Sequence, residues 1–119
     1  MFSYAVSPFL PTIFSHNTSP SAYPGSRDRG VFPLNLYIGW VSPSADELMH
    51  NATRTSAEKL YNHAIALGQT ISGAPLYNNY AIFNTALEST YGDNLQRLKL
   101  IKQEVDPSNL MGLAGGFKF

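Results

Sequence analysis

The sequence predicts an α+β fold, a partial antiparallel sheet accompanied by two main helices. Three patterns predict it. Apolar residues alternate strictly from Val31 to Trp40, a helical stripe runs from the Ser42–Ser44 region to about Leu67, and a second stripe runs from about Asp93 to Val105.

The strand is the clearest element. Phe32, Leu34, Leu36, Ile38 and Trp40 fall on one face, which is expected to be core; Val31, Pro33, Asn35, Tyr37 and Gly39 fall on the other. That second face carries an amide and a phenol, so it looks onto solvent or a ligand. Pro33 has no N–H for a ladder, which places an edge or a bulge there. The first helix has two alternative starts. Ser44 with Glu47 fits a capping box, and Ser42 with Pro43 fits a cap followed by proline at the first helical position. Leu48, Ala52, Ser56, Leu60 and Ala64 form its inner stripe, and Gly68 is a stop in the left-handed conformation. In the second helix Leu95, Leu98, Ile101 and Val105 face inward, and Asp106-Pro107 ends it. Tyr77 to Phe83 reads as a short extended segment rich in amides and phenols. Residues 1–30 carry no charge before Arg27 and four prolines; they read as a loop-rich segment with a short strand at Tyr4-Ala5-Val6 and a long loop from Ser15 to Arg29. Residues 31–119 form the remaining region.

Composition narrows the function. The chain has 119 residues, 44% hydrophobic and 13% charged, with zero formal net charge and no cysteine. That is one ordinary domain with enough apolar material for a core. Disulfides, thiolate catalysis and zinc–thiolate sites are excluded. No basic patch points to nucleic acid, and no apolar run approaches the ~20 residues that span a bilayer. Asn17-Thr18-Ser19 and Asn51-Ala52-Thr53 fit the glycosylation pattern, which matters only if the parent protein is secreted; a signal peptide is not expected within Met1 to Val6.

Phosphate loops, dinucleotide fingerprints and nucleophile elbows are missing from the sequence. His16, His50 and His63 lack metal-ligand spacing and read as surface or boundary residues, so no metal site is expected. Asn35, Tyr37, Tyr77, Asn79 and Tyr80 remain as the residues able to carry chemistry. A tyrosine serves as a base if its phenolate is stabilised; otherwise these are packed, hydrogen-bonded tyrosines.

Several runs together resemble the berberine-bridge-type enzymes. Tyr77-Asn78-Asn79-Tyr80 is similar to their Tyr-x-Asn-Tyr element. Tyr91-Gly92-Asp93-Asn94-Leu95-Gln96-Arg97-Leu98 is similar to Tyr-Gly-x-Asn-Leu/Phe-x-Arg-Leu, and Lys102 with Asp106-Pro107-Ser108-Asn109-Leu110 to the following Lys and Asp-Pro-x-Asn-Val/Phe. Tyr23-Pro24-Gly25-Ser26-Arg27 and the strand ending in Trp40 also look like the family, and Gly112 to Phe119 looks like fungal members. The resemblance spans Tyr23 to Phe119.

It implies the substrate-domain segment of a flavoenzyme with a vanillyl-alcohol-oxidase-type fold. FAD would sit in a missing FAD-binding domain or chain, so this chain alone is not expected to bind FAD or to be active. The reaction would be oxidation of a small-molecule alcohol, sugar or natural product by hydride transfer to flavin. The resemblance implies Tyr77 as base, Asn35 and Tyr37 as substrate contacts, and Asn79 and Tyr80 as cofactor contacts, with Asn79 near the flavin ring or supporting the tyrosine. It also implies structural work for Arg97, Lys102, Asp106 and Asn109. Two departures bear on Tyr77: Asn35 cannot be a carboxylate base, and Pro33 stands where some members place a lysine that assists the tyrosine. The competing readings are a non-enzymatic binding module and a truncated remnant, with no expected nucleic-acid or membrane partner.

Overall fold

Pairing of the N-terminal residues with the alternating segment creates the sheet. In the computed structural model, which describes residues 1–19, 21–115 and 119, strand β1 (Phe2–Val6) runs antiparallel to β2 (Leu34–Ile38). Phe2 lies opposite Ile38, Tyr4 opposite Leu36 and Val6 opposite Leu34, so one face is wholly apolar. Ser3 opposite Tyr37 and Ala5 opposite Asn35 make the other. The Met1 ammonium donates to the Gly39 carbonyl at 2.7 Å and the Gly39 amide to the Met1 carbonyl at 2.9 Å, which closes the far end.

The chain divides into two units. The first comprises Met1–Ser7 and Leu34–Ala74, the second Pro8–Pro33 and Pro75–Phe119. Pro33 lies at one of these divisions. The alternating segment is therefore shorter than its sequence pattern. Val31 exchanges both backbone hydrogen bonds with Phe9, at 2.8 and 2.9 Å, as an isolated bridge in the second unit, and the ladder of the first unit begins at Leu34. A proline cannot carry a ladder across that point.

In the first unit, helix α2 (Asp46–Ala66) comes after a 3-10 turn over Pro43–Ala45. Its start lies just beyond Ser42–Pro43, but no side chain caps it. Ser42 and Ser44 bond each other through their hydroxyls at 2.8 Å instead, so the capping box between Ser44 and Glu47 does not form. Asp46 and Glu47 occupy the first turn, where negative charge complements the helix dipole. Asp46 also accepts the Trp40 indole N–H at 2.6 Å, which ties the end of the strand segment to the helix start. The Trp40 ring meets His50 edge-on at 5.3 Å. The helix ends in a complete Schellman motif: Gly68 donates to the Ile65 carbonyl at 2.8 Å and Gln69 to the Ala64 carbonyl at 3.0 Å. Gly68 has φ +83°, the left-handed conformation that glycine adopts without a Cβ clash.

Apolar burial in this unit differs from the sequence expectation. No residue of α2 is fully buried, and Leu48 and Leu60 of its stripe are exposed. On the even face of the strand Leu36, Ile38 and Trp40 are half-buried, Leu34 is exposed, and Phe32, beyond the ladder, is 60% exposed. Two strands and one helix do not offer enough facing surface to enclose these side chains.

The second unit holds the closed packing. Short helix α1 (Pro11–Ser15) begins at a proline, as a first helical position allows. Loop residues lead on to Gly30, and Phe14 lies so close over Gly25 that a Cβ there would meet its ring at 2.5 Å. Helix α3 (Leu87–Tyr91) breaks at Gly92, and α4 (Asn94–Val105) comes next. Thr90, Tyr91 and Leu95, at 0%, 8% and 2% exposure, are the fully buried residues among those described. The Tyr91 ring lies 5.4 Å from that of Phe119. Leu98 is half-buried on the same helix as Leu95, but Ile101 and Val105 of the expected stripe are exposed. Asn94 donates to the Ser21 and Ala22 carbonyls at 3.3 and 3.1 Å, pinning the long loop to the start of α4.

Asp106 ends α4 and organises the turn after it. Its carboxylate accepts the Leu110 and Met111 amides at 2.7 and 3.1 Å and pairs with Lys102 at 3.4 Å. A 3-10 turn over Met111–Ala114 starts on those amides. Asn109 makes the intervening bend at φ +54°, a conformation that asparagine tolerates better than most side chains. Gly116, Phe117 and Lys118, part of the ending that resembles fungal members, lie outside the described residues.

Thr90 Oγ1 is buried with no hydrogen-bond partner among the described residues. An orphaned buried hydroxyl costs about 1–3 kcal/mol, so the isosteric Thr90→Val is expected to raise stability by about 1 kcal/mol in urea unfolding followed by circular dichroism. An unchanged or lower midpoint would show that the hydroxyl is satisfied. The Asp106 carboxyl is raised by desolvation but lowered more by the Leu110 and Met111 amides and by Lys102, so it lies below its ordinary value of 3.8. The folded state then binds fewer protons than the unfolded chain, and the stabilisation is present above that value and lost as pH falls through the folded one. Asp106→Asn should flatten the acid side of a stability–pH curve below about pH 4. A variant curve parallel to the wild type would exclude this role.

Candidate functional site

Pro75 to Tyr80 presents a phenol at a tight turn. Tyr77 is extended (φ −74°, ψ 119°), and a 3-10 turn over Asn78–Tyr80 succeeds it, closed by the Tyr80 amide on the Tyr77 carbonyl at 2.9 Å. The expected extended segment therefore exists only at Tyr77 and Ala81, and a second turn, closed by the Thr85 amide on the Ile82 carbonyl at 2.9 Å, takes in Phe83. Two consecutive asparagines favour a turn over a ladder. The turn carries Tyr77, Asn79 and Tyr80 together. Asn79 Nδ2 donates to the Tyr77 hydroxyl oxygen at 2.7 Å, and the Tyr77 and Tyr80 rings meet edge-on at 5.0 Å.

Tyr77 is the centre of an aromatic cluster within the second unit. Phe9 meets it edge-on at 4.8 Å and an interplanar angle of 82°, and Tyr23 at 6.1 Å and 74°. Phe14 packs against both Phe9 and Tyr23, with centroids at 5.9 and 6.0 Å. Edge-to-face rings of this kind each add about 0.5–1.5 kcal/mol beyond their buried area. Tyr77 and Tyr80 are half-buried and Asn79 is exposed, so the turn is open to solvent on one side.

The Tyr23 hydroxyl donates to the Pro75 carbonyl at 3.2 Å, a link across 52 positions of sequence. Burial pushes its phenol above the ordinary 10.0, and a negative charge on Tyr77 would push it further. In the sequence, Tyr23 stands out only as part of a resembling run. Its partnership with the turn has no local signal, because the two segments lie far apart along the chain.

Asn35 and Tyr37 belong to β2 of the first unit. They lie on the more polar face of the two-stranded sheet, as alternation predicts, opposite Ala5 and Ser3. Asn35 is half-buried and Tyr37 exposed. The candidate residues thus form one contiguous group, Tyr77, Asn79 and Tyr80, and a separate pair on the sheet.

The described residues of the second unit line open cavities, two of which lie along the long loop and α4. One of about 170 Å³ is lined by Ser21, Ala22, Asn94, Arg97 and neighbours on α4; the other, of about 290 Å³, by Phe14, Asn17, Tyr23, Arg27 and adjoining loop residues. Neither is lined by Tyr77, Asn79 or Tyr80. Among the described residues there is no cluster of three or more side chains able to hold a metal ion, and no helix is long and apolar enough to cross a membrane.

The raised Tyr23 phenol fixes a pH dependence. Its protonated form is favoured by folding, so that stabilisation is present below the ordinary value of 10.0 and is lost as pH rises through the higher folded value. Tyr23→Phe, which keeps the ring, should unfold with a shallower alkaline dependence above about pH 10. Identical slopes for variant and wild type in thermal melts between about pH 9 and 11 would exclude the coupling.

Residues 76–114 match the family model described as berberine and berberine like. The matched stretch runs from the turn bearing Tyr77 through α3 and α4 to the last 3-10 turn, all within the second unit. The resembling run at Tyr23 and the strand ending in Trp40 fall outside it. No curated protein and no solved structure matches the chain.

Proposed function

We propose that this chain is the C-terminal, substrate-facing part of an FAD-linked oxidoreductase of the berberine-bridge type, which oxidises an alcohol, sugar or natural product by hydride transfer to flavin. The observation that carries this reading is the match over residues 76–114, in which the one candidate base, Tyr77, stands on a half-buried turn beside an amide donor. The fungal cast of the ending belongs to the same proposal.

The chain's own contribution is at the Tyr77 oxygen. Removing a hydride from an alcohol carbon requires the hydroxyl proton to leave, and Tyr77 as phenolate would take it. Asn79 fixes the direction of that oxygen through its 2.7 Å hydrogen bond. On the sheet of the first unit, taken by itself, Asn35 and Tyr37 are proposed as substrate contacts, an amide and a phenol suited to a polyhydroxylated or otherwise polar substrate.

The described residues fit contact with a flavin, and they do not fit its retention. Asn79 and Tyr80 offer one amide and one phenol beside Tyr77, enough to touch one edge of a planar ring. No glycine-rich phosphate cradle occurs in the sequence. FAD would then be held by a partner domain or chain. The exposed apolar surface favours such a partner: Phe2, Tyr4 and Val6 stand on one open sheet face, and Leu100, Val105 and Leu110 on the second unit. The same surface would suit a non-enzymatic binding module, and the two readings separate on activity.

The chain incubated with FAD and desalted is expected to be colourless in the visible. A retained flavin band would place a cofactor site in this chain and overturn the partner reading. In the flavin-loaded enzyme assembled with its FAD-binding partner, Tyr77→Phe should lower turnover by about 10²- to 10⁴-fold with the flavin absorbance unchanged. Full activity of that variant would remove Tyr77 from the chemistry.

A further inference from the structure

We propose that Tyr23 is a positioning residue for this site: through the Pro75 carbonyl and the ring of Tyr77 it fixes the turn that presents the Tyr77 hydroxyl. The inference rests on the reading of Tyr77 as the base.

The geometry is that of a clamp with two contacts. The Tyr23 hydroxyl donates to the Pro75 carbonyl at 3.2 Å, two residues before Tyr77, and the Tyr23 ring meets the Tyr77 ring edge-on at 6.1 Å. One contact sets the height of the backbone entering the turn and the other sets the lean of the Tyr77 ring. Tyr23 is itself held: Phe14 packs on its ring at 6.0 Å, and its backbone carbonyl accepts the Ser21 hydroxyl at 2.6 Å and the Gly25 amide at 2.9 Å. The loop it belongs to is pinned to α4 by Asn94. Tyr77 has a further rigid neighbour in Phe9, whose segment is fixed by the bridge to Val31.

The two hydroxyls are wired with opposite polarity. A carbonyl only accepts, so the Tyr23 bond exists only while Tyr23 keeps its proton. The Tyr77 oxygen accepts from an amide N–H, which leaves it free to receive a proton without losing that bond. The titratable groups in ring contact with Tyr77 are Tyr23, from the loop after α1, and Tyr80, from its own turn. Burial and the neighbouring Tyr77 both keep Tyr23 in the protonated form that the clamp requires. Tyr23 therefore holds its position both while Tyr77 is charged beside it and after Tyr77 has taken up the proton.

Two measurements test this. In the full chain labelled with ¹³C at the tyrosine Cζ, the Tyr23 resonance, identified by its loss in Tyr23→Phe, is expected to titrate above the ordinary tyrosine range. In Tyr77→Phe its midpoint should fall, because the neighbouring charge is gone. An unchanged midpoint in a variant whose other resonances keep their positions would overturn the pairing. In the flavin-loaded assembled enzyme, Tyr23→Phe is expected to lower kcat about tenfold or more with KM changed by less than about twofold, since a misplaced base affects the reacting geometry more than substrate binding. A kcat equal to wild type, in an enzyme where Tyr77→Phe is impaired, would overturn the positioning role alone. If Tyr77→Phe is itself fully active, the base reading fails and the positioning role falls with it.

Discussion

The Leu76 amide donates to the Ser89 carbonyl at 2.8 Å, and the site depends on that bond. It joins the residue before Tyr77 to helix α3, whose last two residues, Thr90 and Tyr91, are buried, as is Leu95 of α4. A turn of two asparagines and two tyrosines has little apolar surface of its own beyond the Tyr77 and Tyr80 rings. Its position comes from one backbone hydrogen bond to the closed core, from the Phe9 ring packed edge-on against Tyr77, and from the Tyr23 clamp. The residues through which the chain resembles a family divide accordingly. Tyr91, Leu95, Asn94 and Asp106 build the frame by burial, loop pinning and capping, while Tyr77, Asn79 and Tyr80 are carried by it.

The strongest structure is thus concentrated in a small volume. Three described residues are fully buried in a chain of 119, against a sequence that is 44% hydrophobic. A two-stranded sheet with one open apolar face is marginal in water without further partners. The same constraint explains the ends of the elements. Helix α2 ends in a complete Schellman motif and α4 in the Asp106 cap, because local hydrogen bonding must supply what packing does not. An exposed Val105 one residue before such a cap shows that termination, and not burial, decides where α4 stops.

Much of this is legible in the sequence where the signal is local. Alternation marks the two faces of β2, proline at position 33 marks the break, Gly68 marks the end of α2, and Asp106-Pro107 the end of α4. Faces are legible, but their burial is not: the even face from Phe32 to Trp40 has the pattern of a core strand, and whether something covers it is a property of the surroundings. The capping box fails for a related reason. Pro43 starts a 3-10 turn, the helix proper begins at Asp46, and Ser44 is left to bond Ser42. Helix α3 escapes notice because five residues ending before a glycine are too few for a 3.6-residue period to show.

The site is half legible. The run Tyr77 to Tyr80 identifies the candidate residues, but their arrangement requires the turn: Asn79 reaches the Tyr77 hydroxyl because the 3-10 geometry brings a residue two positions on back toward the phenol, whereas an extended strand would have separated them along its length. A lysine or carboxylate beside a tyrosine changes its proton affinity through charge, which acts over several ångströms and tolerates some misplacement. The groups that surround Tyr77 are an amide and aromatic rings, which act through short-range geometry. A tyrosine supported in this way, in the role of base proposed for Tyr77, depends more heavily on where it is held, and that is the reason the clamp from Tyr23, rather than a charged neighbour, is the part of the second unit on which the proposed chemistry would turn.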